Sequence, residues 1–273
     1  MTSGHDNLIE LASNGDCVGL KQLLEPQPLQ ILREANLTLE QLVAPAVNNR
    51  QTQAIHYCIS LGANVNDFEV QIAVIQANSL DVYKVVVPAG YNLNYDHGMI
   101  GGPLCWVGNE VPLATYLLSH GADPNRDLQT GIYRPLALAA RNPSDNVEMI
   151  ELFIKHGAQV DRSGALIVAA QCGKLETVRC LIAHGANVNL IKWTDTMIFK
   201  RPDQAESALH RAVKGGHEAV DALLLDNGAD VNLEDANGKT PFDLARDMEN
   251  DRMVRLLREW RGSPREVSES CID

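Results

Sequence analysis

Three of the eight histidines, His120, His156 and His184, each stand directly before a glycine of a recurring motif. Imidazole is the commonest metal ligand, so a shared zinc site is the first chemistry to weigh. Zinc holds its ligands about 2 Å from the metal. One histidine per stacked unit would space them roughly 10 Å apart, the distance between packed helices. A capping role fits better, because a histidine in a last helical turn can bond the terminal carbonyls and suits the negative end of the dipole. The six cysteines, Cys17, Cys58, Cys105, Cys172, Cys180 and Cys271, show no C-x-x-C spacing and read as reduced thiols. Gly98-Met-Ile-Gly101-Gly102 has neither the buried strand before it nor the Lys-Ser or Lys-Thr after it that a phosphate cradle needs. Ser163 and Ser207 lack a nucleophile-elbow setting. The acids read as solvent-face and tip residues, with no pair set in apolar surroundings. The expectation is a non-catalytic chain without metal or cofactor.

The glycines that follow those histidines belong to a pentapeptide, Gly62-Ala-Asn-Val-Asn66. It returns at Gly121–Asn125, Gly157–Asp161, Gly185–Asn189 and Gly228–Asn232, with a degenerate copy at Gly90–Asn94. The glycine intervals are 28, 31, 36, 28 and 43 residues, a period that means stacked supersecondary units. Apolar pairs precede each glycine: Cys58/Ile59, Val86/Val87, Leu117/Leu118, Phe153/Ile154 and Leu181/Ile182. In the last copy the pair reads as Leu223/Leu224, with one extra residue before Gly228. With Ile55, Ile150, Val178 and Val220 further upstream they form a helical stripe. An earlier stripe, such as Leu136/Ala139/Ala140 or Leu209/Ala212/Val213, marks a second helix whose alanines permit close approach.

Asn237-Gly238-Lys-Thr240-Pro241-Phe-Asp-Leu-Ala245 is close to Gly-x-Thr-Pro-Leu-His-x-Ala, and Ser207–Ala212 and Arg134–Ala140 are further copies. The chain thus resembles the ankyrin repeat family over roughly residues 6–262. Pro241 suits a first helical position and Thr240 a cap. The resemblance implies an all-α ankyrin-repeat solenoid of stacked helix–turn–helix units with β-hairpin tips. A short flank covers 1–5, the repeat domain with about eight units including worn caps covers 6–262, and 263–273 reads as a disordered tail. His210 and His217 match family positions with structural roles. The pattern departs from the family at Trp106-Val-Gly108, in the two added residues of Asn142–Asn146, and in the long connection Glu25–Asn36 with its two prolines.

A net charge of −12 argues against a nucleic-acid partner and suits a protein partner with a basic segment. No apolar run reaches the roughly 20 residues that span a bilayer, and no basic leader is visible at the start. A cytoplasmic or nuclear monomer is expected. The longest interval holds an enlarged finger at 190–206, about ten residues longer than a tip requires, carrying Trp193, Met197, Phe199, Lys200 and Arg201. These are residue types that anchor interfaces. The family resemblance adds tip and concave-face candidates: Asp67/Phe68, Tyr95/His97, Arg126/Asp127, Tyr133, Arg162 and Glu234/Asp235 at tips, and Gln76, Asn109, Arg141, Gln171 and Lys214 at first-helix ends. The reading is a scaffold or adaptor. One alternative is an inhibitor masking a basic segment of a transcription factor or enzyme. Another is an accessory protein or enzyme of small-molecule metabolism with a pocket near Trp106 and Trp193.

Overall fold

The computed structural model describes residues 4–25, 27–95, 101–126, 134–145, 147–192 and 205–262. They fall into two compact units, Met1–Arg126 and Asp127–Asp273. Unit 1 holds α1 (Gly4–Asn14), α2 (Cys17–Leu24), α3 (Pro28–Glu34), α4 (Glu40–Asn48), α5 (Thr52–Ser60), α6 (Phe68–Ala77), α7 (Leu80–Val86), a 3-10 turn at Pro103–Cys105 and α8 (Val111–Ser119). Unit 2 holds α9 (Pro135–Arg141), α10 (Val147–Lys155), α11 (Val160–Ser163), α12 (Ala165–Gln171), α13 (Leu175–Ala183), α14 (Ala208–Gly215), α15 (Glu218–Asp226), α16 (Pro241–Asp247) and α17 (Asp251–Gly262). The chain is an all-α solenoid of helix pairs. Among the described residues the only β pairing is one antiparallel bridge, Lys192 with Glu206.

Within each unit the first helices pack on one another more closely than the second helices do. The reason is side-chain size. Ala12, Ala46, Ala140, Ala169, Ala212 and Ala245 are buried where first helices meet. The second helices carry the larger groups. Cys58, Val86, Leu117, Phe153, Leu181 and Leu224, each four residues before its glycine, are fully buried. This places the last stripe one residue later than the sequence suggested. Leu224 and Leu225 are the buried pair and Leu223 is half-buried, so α15 has the same nine residues as α13 and nothing extra. Gly62 and Gly121 end α5 and α8 at φ of +102° and +91°, a left-handed backbone that glycine alone takes without penalty.

The pentapeptide does its work through its two polar side chains. The third residue turns the tip: Asn64 Oδ1 accepts from the Asn66 N–H at 3.0 Å, and Asp123, Asn187 and Asp230 repeat the contact. The fifth residue reaches the next repeat. Asn66 Nδ2 donates to the Gly90 carbonyl at 2.8 Å while its Oδ1 accepts from the Asn92 N–H at 2.7 Å. Asn94 and Asn189 make the same double bridge, and Asp161, lacking a donor, makes only the accepting half. Backbone groups that an open stack would leave to solvent are thereby paired between neighbours.

Local departures have local causes. The long connection before residue 37 folds as α3, with Pro28 in its first turn. The two residues added at Asn142–Asn146 carry Asp145, whose carboxylate accepts from the Glu176 and Thr177 N–H groups at 2.9 Å and from the Thr177 hydroxyl at 2.7 Å. It thus caps α13 of the following repeat. Partial burial pushes its pKa up, but the Thr177 hydroxyl, the two N–H donors and the Lys174 charge outweigh this and hold it below the usual value. Thr240 caps α16 in a reciprocal box with Asp243, and Ser207 does so on α14 with His210. His210 also reaches the Lys239 carbonyl at 3.0 Å, and His217 reaches the Gln171 carbonyl at 3.0 Å.

The expectation that acids keep to solvent faces fails at three places: Glu206, Asp221 and Asp235 are buried. Asp221 is the sharpest case. It lies seven residues before Gly228, in the column filled by Ile55, Tyr83, Ala114, Ile150 and Val178 in other repeats, and like them it is fully buried. Neither carboxyl oxygen has a hydrogen-bond partner. Burial first, and the nearby Glu218 charge second, push its pKa up to about 8.

Candidate protein-binding surface

The tips and first-helix ends are the surfaces a solenoid leaves open, and the described residues show what stands there. In unit 1 Phe68 opens α6, held out by Asp67, which caps that helix through the Glu69 and Val70 N–H groups. Tyr95 stands at the tip of the next repeat, just past Asn94. Phe68, Tyr95 and Trp106 are 60 %, 44 % and 46 % exposed, whereas Tyr83 and Tyr91 are buried edge to face with ring centres 5.9 Å apart. Trp106 caps the 3-10 turn at the first-helix end of its repeat, two residues before Gly108 as Gln76 is two before Asn78. Gln76 and Asn109 are exposed. An open groove of about 390 Å³ crosses the first-helix face of this unit, lined by His5, Ile9, Leu37, Gln41, Pro45 and Glu69 among others. Arg126, expected at a tip, is half-buried, with its N–H on the Asp123 carbonyl at 3.3 Å.

In unit 2 Arg141, Gln171 and Lys214 are exposed at first-helix ends, and Arg162 is exposed on α11. Arg162 does not stand alone. Its carbonyl accepts from the Arg134 guanidinium and from the Lys192 ammonium, which also reaches the Asp161 carbonyl at 3.2 Å. Lys192 is paired through its backbone with Glu206, both N–H···O distances being 3.2 Å, so the two ends of the finger are tied at its root. Ala205 accepts from the Ala236 N–H at 3.0 Å, fastening the root to the following tip. The buried Glu206 carboxylate pairs with Arg211 Nε at 2.6 Å and with the Lys214 ammonium. The Arg211 contact is an ion pair by distance only, since its N–H is not aligned for a hydrogen bond.

Seven expected site residues, His97, Tyr133, Trp193, Met197, Phe199, Lys200 and Arg201, lie outside the described residues. The structure therefore places Tyr95, Arg126, Arg141 and Arg162 and leaves the finger as a sequence-based expectation. Sequence reasoning missed the linked basic side chains at the finger root. The available signal was that Lys192 and Glu206 flank the extra residues, as the closing pair of a hairpin must.

Among the chemical candidates, one histidine takes a helix-end role. His120 stacks on Tyr116 with ring centres 4.0 Å apart and its Nδ1 lies 2.8 Å from the Tyr116 carbonyl, the helix-end position expected for it. None of the five described cysteines is in a disulfide. Burial pushes Cys58 and Cys105 up to about 12, the wrong direction for a nucleophile. No described helix is long and apolar enough to cross a membrane.

A family model described as ankyrin repeats (3 copies) matches residues 104–192 and 193–265. The chain belongs to the ankyrin repeat family. Relatives include a Transient receptor potential cation channel subfamily A member 1 homolog of Caenorhabditis elegans, 34% identical over 41% of this chain and 9% of that protein. A putative ankyrin repeat-containing protein of Treponema pallidum is 33% identical over 44% of this chain and 39% of its own length. The human Transient receptor potential cation channel subfamily A member 1 is 23% identical over 90% of this chain and 26% of its own length. The chain thus spans well under half of each of these relatives. Repeats of this family generally mediate protein–protein interaction and are typically non-catalytic.

Proposed function

We propose that this chain is a non-catalytic scaffold or adaptor that holds a protein partner on its tips and first-helix face, with a basic segment of the partner lying along unit 1. The observation that carries the reading is the exposure of Phe68, Tyr95 and Trp106 in a chain whose other described Phe, Tyr and Trp rings are buried or half-buried. Large exposed aromatics cost hydration free energy and are the residues that dominate interface energetics. Acids accompany them, since Asp67 and Glu69 flank Phe68. A preformed surface lowers the ordering cost of association. The finger residues Trp193, Met197 and Phe199 extend the surface on sequence grounds. The described cysteines, outside any disulfide, suit a cytoplasmic or nuclear setting, and a monomer is the simplest acting form.

The test is affinity capture followed by mass spectrometry, comparing wild type with Phe68→Ala/Tyr95→Ala and with Trp193→Ala/Phe199→Ala. The reading expects specific proteins to be lost from one or both variants while circular dichroism stays unchanged. Equal capture by all three would reject it.

A further inference from the structure

Position and chemistry disagree at Asp221. The column of α15 that it fills is apolar in other repeats, and its carboxyl is fully buried with neither oxygen hydrogen-bonded. α15 packs on α13 and α14, and the charged groups of those helices have partners elsewhere. On α13 Arg179 pairs with Glu176 at 3.6 Å, both exposed, and Cys180 is half-buried. On α14 Arg211 and Lys214 pair with Glu206, and His210 reaches the Lys239 carbonyl at 3.0 Å. At α15 itself His217 reaches the Gln171 carbonyl, Asp226 is exposed, and Glu218 pairs with Arg252 of α17 at 2.8 Å. Among the described residues no cation pairs with the Asp221 carboxyl, and the charge that acts on it is the negative one of Glu218.

Such a carboxyl keeps its proton while α15 is packed and releases it when α15 opens to water. Burial first, and Glu218 second, set the packed carboxyl at about 8, against 3.8 for one in water. Opening is therefore linked to pH. The open fraction is lowest below about pH 4, climbs about tenfold per pH unit toward pH 8, and levels off above it. Which part opens follows from the order of the stack, because contacts run between neighbouring repeats. Only α16 and α17 come after α15 among the described helices. α16 packs on α14, α17 packs on α16, and Arg252 ties α17 back to α15. Of the described α17 side chains only Met253 and Leu257 are buried, while Asp251, Arg252, Arg255, Arg258 and Glu259 are exposed. End segments with so few buried apolar groups open at a fraction of the global free energy.

We propose that Asp221 is a pH-sensitive latch: its protonated carboxyl keeps the α15–α17 end of the stack closed, and its ionisation lets that end open while unit 1 stays folded. A surface built by these last helices is thereby firm in acid and loosened toward neutral pH, whichever face of the chain holds a partner.

The experiment is hydrogen exchange of the full chain read by mass spectrometry at about pH 5.5, 6.5 and 7.5, each rate divided by the intrinsic rate at that pH. Wild type is expected to show opening of α15 and α17 that rises about tenfold per pH unit, with the opening of α5 in unit 1 unchanged. Asp221→Asn, which keeps the shape and cannot ionise, is expected to remove the pH dependence. Asp221→Val is expected to remove it as well and to protect α15 more than wild type at the highest pH, and it supplies the reading should Asp221→Asn fail to fold. The proposal is overturned if opening of α15 and α17 in wild type does not depend on pH, or if α5 opens in step with them. A slope set by His210 or His217 persists in both variants, and that result overturns it too.

Discussion

Asp221 is predicted to be the most destabilising natural residue in the described core, and replacing it should strengthen the protein in a pH-dependent way. The carboxyl is fully buried, without a hydrogen-bond partner, and titrates near 8 instead of near 3.8. Folding therefore keeps a proton that the unfolded chain releases. For an acid raised in this way, stability is greatest below about pH 4 and declines as pH rises toward the folded value. The decline has a limiting slope of about 1.4 kcal/mol per pH unit. Between about pH 4 and pH 7 this sums to a ceiling of about 4 kcal/mol. The uncharged but unpaired acid costs a further 1–3 kcal/mol or so at any pH.

Asp221→Val restores the residue type of Val178 in the same column. It is expected to gain about 2–4 kcal/mol at pH 7 and markedly less at about pH 4.5. Asp221→Asn keeps the shape and the unpaired polar atoms, so it should flatten the pH dependence with little gain at low pH. Urea midpoints followed by circular dichroism across about pH 4.5 to 8.5 read both effects. If neither variant changes the slope of stability against pH, Asp221 is not the buried proton holder described here.

Three further outcomes follow from the same geometry. Asn66→Ala removes two bridges to the next repeat and should cost about 2 kcal/mol at roughly 1 kcal/mol per bond, with faster hydrogen exchange at the Asn92 amide and little change in unit 2. Asp145→Ala removes the cap on α13, at a cost of about 1 kcal/mol near pH 7. Because the folded pKa of Asp145 is lowered, that contribution is complete above the unfolded value and lost as pH falls through the folded one, so the variant and wild type should converge in acid. Glu249, exposed at φ of +54°, turns the chain from α16 to α17. Glu249→Gly should raise the unfolding midpoint by the equivalent of about 0.5–1 kcal/mol.

The repeat architecture was legible because it is written in backbone requirements. A left-handed turn needs a glycine, a tip needs an Asx side chain, and a close helix pair needs alanine, so Gly62, Asn66 and Ala46 declare themselves by type alone. Departures were less legible where two residue types do the same backbone job. Arg50, Asn78 and Glu249 take the positive φ that Gly15 and Gly216 take elsewhere, and nothing in their chemistry announces it. Asn66 and Asp161 look interchangeable in the pentapeptide, yet only the amide can donate to the next repeat. Three of the exposed aromatics could be picked out as surface candidates, and Lys192 and Glu206 could be read as a closing pair, but Arg134 could not be placed beside them, because it is far away in sequence and meets Lys192 at the Arg162 carbonyl.

The misplacement of Leu223 shows where such reading breaks down and why. A helical stripe is broad enough that a one-residue shift still finds leucines: Leu223, Leu224 and Leu225 all satisfy an apolar pattern. The shift matters because it moves Val220 into the column that Asp221 occupies and hides the acid on a solvent face. Counting from the backbone constraint, Gly228, instead of from the apolar residues gives the register at once, since α13 and α15 are each nine residues long. In a one-dimensional stack each repeat answers mainly to its neighbours, so a buried carboxyl in one column is tolerated without disturbing the rest. That local tolerance is what lets such a chain keep a regular fold around a column position as unfavourable as Asp221.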